Sequence, residues 1–191
     1  GETQTSTLIE NVHTNLRVEA SPAANEAGST GGLVGLNRGA IKTSSSSGRV
    51  TVQANGNADK SMNLGGLVGL DEISGDSIGI FNSYSTAVVV ASSEDSSLLT
   101  AKCGGLVGYV NIGRTIQNSY AAGSVNCPQA TAAVGGFVGF INTGDGTSLP
   151  SFANNFTTAT TTGTNTAAMG GFYGQISNDN DLDLSSNAID A

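Results

Sequence analysis

With 191 residues, 38% of them apolar and only 12% charged, the chain is long enough for one domain with a real core and too apolar for a disordered one. A net charge of −8 without any basic run argues against nucleic acid and anionic membrane surfaces as partners, and no apolar stretch is long enough to insert in a bilayer. Helix formers such as Glu, Lys, Arg and Gln are scarce while Gly (27 residues), Ser, Thr, Asn and Ala abound, which predicts an all-β protein of extracellular or cell-surface character.

The chain opens on an alternating run, Ile9, Asn11 and His13, then places Val18 and Ala20 about nine residues after Ile9, and reaches the phrase GGLVG at 31–35. The same three parts return in order. Ile41 and Thr43 lead to Val50 and Val52 and to GGLVG at 65–69; Ile80, Asn82 and Tyr84 lead to Val89 and Ala91 and to GGLVG at 104–108. Ile116, Asn118 and Tyr120 precede Val125, Cys127 and GGFVG at 135–139; Phe152, Asn154 and Phe156 precede Thr161, Gly163 and GGFYG at 170–174. Leu184 and Ser186 begin one more copy.

The phrases start 34, 39, 31 and 35 residues apart. A fixed phrase at such a period marks a stack of units that bury their apolar faces only against one another. Alternating apolar residues mark strands with one buried face. The expected fold is therefore all-β: residues 1–191 form a single domain, a right-handed β-solenoid or β-helix-like stack of about five GGLVG repeats. The phrase itself reads as a strand at a crowded place, where Gly admits another backbone. Leu33 and Val34 would then point to opposite sides of that strand, so one side needs a cover. A phosphate-cradling Gly loop would need a following helix and a Lys or Ser/Thr that no copy supplies. The Asn row is expected to stack as an inward side-chain ladder.

Residues that could carry chemistry are few. His13 is the sole histidine and occupies the aromatic row, so it reads as a wall residue. Asp71, Glu72, Asp76, Glu94, Asp95 and Asp145 fall at differing repeat positions and read as solubilising loop acids rather than a catalytic cluster, and no catalytic or cofactor-binding residue is expected. Asp179, Asp181, Asp183 and Asp190 have partial calcium-loop spacing, but Leu184 stands where a sharp turn needs Gly, so the first reading is an acidic, soluble end and calcium is the second. Cys103 and Cys127 fall in two inward rows one coil apart, which favours a disulfide over buried free thiols. Asn155 begins the single glycosylation sequon. The run of Thr from 157 to 166 is confined to one repeat, unlike the ranks of an ice-binding face.

GGLVG followed by a loop, then I-x-N-S-Y and a later G-S-V, closely resembles the GLUG repeat of large bacterial surface proteins, which include adhesin-like proteins and some zinc-dependent immunoglobulin A peptidases. The copy formed by Gly104 to Gly108 and IQNSYAAGSV at 116–125 carries the resemblance most clearly. It implies an exposed, repetitive, non-catalytic module; the H-E-x-x-H signature of the peptidases is absent, so their activity does not carry over.

The resulting expectation is a structural protein, a subunit of a surface filament or adhesin stalk, with a carbohydrate- or host-binding adhesin module as the alternative. Residues 1–60 balance five basic against five acidic side chains, whereas the remainder sets Lys102 and Arg114 against ten acids. In a stack, sequence position is axial position. Copies are thus expected to join head-to-tail, Arg17, Arg38 and Arg49 at one end meeting Asp179, Asp181 and Asp183 at the other.

Overall fold

A computed structural model of the chain describes residues 1–4, 7–21, 27–54, 61–72, 79–93, 100–128, 132–164, 168–178 and 182–189. Its strands pair in parallel throughout, in four sheets, and wind a β-solenoid of about four turns with no α-helix among the described residues. Each turn visits the sheets in the same sequence. The first, the isoleucine sheet, stacks β1 (Leu8–Glu10), β5 (Ala40–Lys42), β9 (Gly79–Phe81), β14 (Thr115–Gln117) and β19 (Ser151–Ala153). Ile9, Ile41, Ile80, Ile116 and Phe152 fall in one register row.

The chain then turns a corner at Asn11, Thr43, Asn82, Asn118 and Asn154, whose φ angles are 56, 46, 50, 51 and 55°. Asn tolerates this left-handed conformation because its short polar side chain serves the local backbone, which explains the row. The inward ladder predicted for Asn belongs instead to the next residue. Ser44, Ser83, Ser119 and Asn155 are buried, and the backbone N–H of each donates to the side-chain oxygen of the residue one coil on: Ser44 to Ser83 Oγ (3.1 Å), Ser83 to Ser119 Oγ (3.2 Å), Ser119 to Asn155 Oδ1 (3.0 Å) and Asn155 to Asn187 Oδ1 (3.1 Å). The corner N–H groups cannot join a sheet ladder, so side chains satisfy them.

Beyond the corner lies the largest sheet, which includes the long strands β2 (His13–Ala20), β6 (Ser45–Ala54) and β11 (Val88–Ser93) and the shorter β16 (Ser124–Cys127) and β21 (Thr160–Gly163). Val18, Val50, Val89, Val125 and Thr161 align in it, as their spacing predicts. The aromatic row stands on its outer side, Tyr84 stacked on Tyr120 at 4.7 Å and Tyr120 on Phe156 at 4.9 Å. His13 aligns with Ser45 in this row and its Nδ1 lies 2.8 Å from Ser45 Oγ.

The Gly phrase is not one strand but the corner between two. Its first Gly ends the leading strands β3 (Gly28–Gly31), β7 (Ser61–Gly65), β12 (Thr100–Gly104), β17 (Ala133–Gly135) and β22 (Met169–Gly170). Its fourth residue begins the trailing strands β4 (Val34–Asn37), β8 (Val68–Asp71), β13 (Val107–Val110), β18 (Val138–Ile141) and β23 (Tyr173–Ile176). Because the strand breaks there, Leu67 and Val68, or Leu106 and Val107, enter the same core rather than opposite faces. No cover for a second apolar side is needed.

The two strands then run so close that only Gly fits between them. A Cβ on Gly104 would lie 1.9 Å from the Val107 carbonyl oxygen, and one on Gly108 would lie 2.5 Å from the Leu64 nitrogen. The second Gly serves the other side: a Cβ on Gly66 would meet Ser85 Oγ at 2.1 Å, so the small residue after each wall aromatic and the Gly fit each other. The strands flanking the corner thereby separate two cores. One joins the isoleucine row to Val68, Val107, Val138, Phe137 and Phe172; the other joins Val89, Val125 and Ala91 to Leu64, Met62 and Val134.

Candidate functional site

Three features stand out from this scaffold: a buried ion pair, a disulfide, and a cleft between the leading and trailing strands. In the last position of the trailing strands the register row reads Asn37, Asp71, Val110, Ile141, Ile176. Asp71 is fully buried, which overturns its reading as a surface loop acid, while Asp145 is exposed and Asp76, Glu94 and Asp95 lie outside the described residues. Arg114, only 1% exposed, reaches back from the fourth coil so that its Nη2 donates to Asp71 Oδ1 (2.6 Å) and to the Gly39 carbonyl (2.8 Å). Asn37 Nδ2 donates to the same Asp71 oxygen (2.7 Å), and Thr3 Oγ1 donates to Asn37 Oδ1 (2.7 Å). Burial pushes the Asp71 carboxyl above its ordinary range, opposed by Arg114 and Asn37. The site is a sealed polar pair in a row that is apolar in the later coils.

Cys103 and Cys127 are bonded, Cα atoms 6.7 Å apart, both wholly buried in the second core. The bond joins two successive coils, as their rows suggest. Replacing both by Ala is expected to lower stability by about 3 kcal/mol, from the denatured-chain entropy of a loop of this length. The urea midpoint checks it, and an unchanged midpoint would mean that packing alone holds these coils together.

The remaining predicted residues fall differently. Asn155 is 2% exposed, and its Nδ2 donates inward to the Ile116 carbonyl (2.8 Å) and to Asn187 Oδ1 (2.9 Å). Its amide is a rung of the corner ladder and presents no glycan acceptor in the folded chain. Arg38 is compensated in place, pairing with Glu2 and, at 2.8 Å, with Glu72, whereas Arg17 pairs with Glu19 on the exposed face of β2. Arg49 aligns beside Arg17 and its Nε donates to Thr51 Oγ1 (3.2 Å). Of the acidic set, Asp179, Asp181 and Asp190 lie outside the described residues; Asp183 is exposed and its Oδ1 accepts from the Ser185 N–H (2.9 Å), and the Ser185 side chain, followed by this N–H, holds its carboxyl below the usual value. Among the described residues no group of three or more His, Cys, Asp or Glu could hold a metal, and no helix is long and apolar enough to cross a membrane.

The cleft has no signature in the repeat rows. Leading and trailing strands touch at the Gly corner and diverge away from it, so that the outward row Ser29, Asn63, Lys102 faces the outward row Leu36, Leu70, Tyr109, Phe140. Lys102 Nζ lies 4.5 Å above the Tyr109 ring and 5.0 Å above Phe140. The chain is thus a parallel β-solenoid with a longitudinal cleft. Comparison with protein-family models, with curated proteins and with solved structures finds no match for it.

Proposed function

We propose that the chain is a non-catalytic structural subunit of an extracellular or cell-surface filament or stalk, formed by head-to-tail stacking of copies of itself. One observation carries this reading: among the described residues, the exposed large apolar side chains sit towards the two ends of the stack, Leu8 (52%), Val12 and Leu16 (55%) on the first coil, Phe156 (42%) and Tyr173 on the fifth, beyond which only the short strand Ala188–Ile189 pairs, beside Phe156. The same coils hold open strand edges. Among the described residues, nothing pairs with the outer side of β2, which is eight residues long, or of β21 and β23. An open parallel edge is a template for another strand, and a contact between unlike ends propagates wherever its rotation does not close a ring. The GLUG-like repeat supports the same reading. Charge contributes less than its distribution along the sequence suggests, because Arg38 and Arg17 already have carboxylate partners.

Negative-stain electron microscopy with sedimentation over a range of concentration and salt tests the proposal. Fibres of uniform width are expected, and Leu16→Lys should abolish them while leaving the monomer folded, since an edge charge blocks strand addition. Replacing Asp179, Asp181 and Asp183 by Asn should only reduce the salt dependence. Compact monomers at every concentration would refute self-assembly.

A further inference from the structure

The cleft is filled along part of its length and hollow along the rest. In the third and fourth coils Tyr109 and Phe140 stack at 5.3 Å and, with the Lys102 ammonium over them, occupy the gap. In the first and second coils the same row is Leu36 and Leu70, and a hollow of about 460 Å³ opens there, bounded at one end by Gly1 and Glu2. A second hollow of about 240 Å³ adjoins it through Asn63 and Leu70 and ends at Lys102 and Tyr109. The row that fills the gap with a ring in one place leaves room for a ring in the other.

The walls of this space carry unused polar groups. Asn63 is 9% exposed; its Nδ2 donates to Ser29 Oγ (3.2 Å), but its Oδ1 has no donor. Ser61 Oγ, buried on the same face of β7, has no partner either. Buried oxygens without partners are rare enough to need an explanation. Lys102 is half-buried, and among the described residues no carboxylate pairs with it. Desolvation accordingly lowers its ammonium pKa. Glu72 stands nearby, but its Oε1 is taken by Arg38 at 2.8 and 3.0 Å.

We propose that the cleft binds an acidic pyranose, a uronic-acid residue of a saccharide, with its C–H face on Leu36 and Leu70, hydroxyls donating to Asn63 Oδ1 and Ser61 Oγ, and its carboxylate on Lys102. The geometry supports each part. Ser61 and Asn63 are two residues apart on a strand, about 7 Å, a span that hydroxyls on opposite edges of one ring can meet. Lys102 is one strand away, about 4.8 Å, within reach of a carboxylate on that ring. Pockets of this kind combine an apolar floor with a few convergent polar groups. The acidic rim at Glu2 and Glu72 and the net charge of −8 disfavour more highly charged ligands such as sulfated sugars.

This site does not rest on the stacking role, since one monomer contains every named group. The test is calorimetric titration of the full chain, at a concentration where sedimentation shows monomer, with galacturonate and with neutral galactose; amide chemical shifts locate any binding. Saturable binding of the acidic sugar is expected, with shifts at Ser61, Asn63, Leu70 and Lys102. Lys102→Gln should weaken it at least about tenfold, as for loss of one desolvated charge contact. Leu70→Phe, which copies the aromatic residue of the next coils, should fold normally and abolish binding by filling the hollow; Leu36→Phe provides the same test if Leu70→Phe does not fold. No binding at about 10 mM sugar, weaker than any specific site would show, would overturn the proposal. So would equal affinity for the neutral sugar, or binding indifferent to the Phe substitution.

Discussion

Gly104→Ala is expected to abolish the cooperative folding of the chain, a loss above about 4 kcal/mol. The added methyl would sit 1.9 Å from the Val107 carbonyl oxygen and 2.7 Å from the Gly139 nitrogen, both backbone atoms held by sheets on either side. Neither neighbour can rotate away. Because coils pair mainly with their neighbours, with Arg114 to Asp71 one link that spans the central coil, a defect in that coil also weakens the coupling of the two halves of the stack. Gly28→Ala is the control: its Cβ would first meet the flexible end of Met62, at 3.0 Å, and the change should cost no more than about 1 kcal/mol. Urea unfolding followed by circular dichroism measures both. Equal effects would mean that the corner relaxes and that the spacing of its strands does not depend on Gly.

That corner also shows how far the sequence can be read. The period and the rows were legible because each coil repeats one register. Ile9 to Phe152 and Val18 to Thr161 align in space as they do in the spacing of the letters. The break inside GGLVG was not legible as a strand pattern. Yet two consecutive apolar residues, both invariably large, already violate the alternation of a half-buried strand, and the violation marks a corner. The Ser of I-x-N-S-Y had a readable signal too: it recurs at a fixed place beside a residue suited to positive φ, where an N–H must find a side-chain acceptor.

Cleft and ion pair were hidden for a different reason. Both depend on single substitutions within a row, Leu70 where the next coils have Tyr109 and Phe140, Asp71 where they have Val110 and Ile141. A repeat profile treats such departures as noise. The disulfide was legible because both of its residues sit in rows whose other members face inward, whereas the sequon at Asn155 looked open only because the ladder role of its position had not been recognised.

The Asp71–Arg114 pair offers the sharpest test of what such a departure does. Asp71→Asn is expected to cost about 3–5 kcal/mol, because it leaves the Arg114 charge buried without its carboxylate. Arg114→Leu should cost a similar amount at neutral pH, but with a different pH dependence. Without the guanidinium, burial acts on the Asp71 carboxyl opposed only by the Asn37 hydrogen bond, and its folded-state pKa stands further above the unfolded value of 3.8. The folded protein then binds the proton more tightly than the unfolded chain, so stability is greatest below the unfolded pKa and falls as pH rises from there through the folded one. The Arg114→Leu variant should therefore regain stability on acidification, towards the ordinary carboxylate range. Replacing both, Asp71→Val with Arg114→Leu, gives the second coil the apolar row of the later ones, and Asn37 Nδ2 keeps the Gly39 carbonyl as an acceptor at 3.1 Å. The double variant should lie within about 1 kcal/mol of the parent or above it, since a buried pair often does no better than apolar residues of similar volume. Denaturation of the four proteins as a double-mutant cycle decides the matter. Additive losses would mean that the two residues act separately and that no coupled pair fixes the register of these coils; strong coupling with a stable double variant would place their value in register rather than in stability.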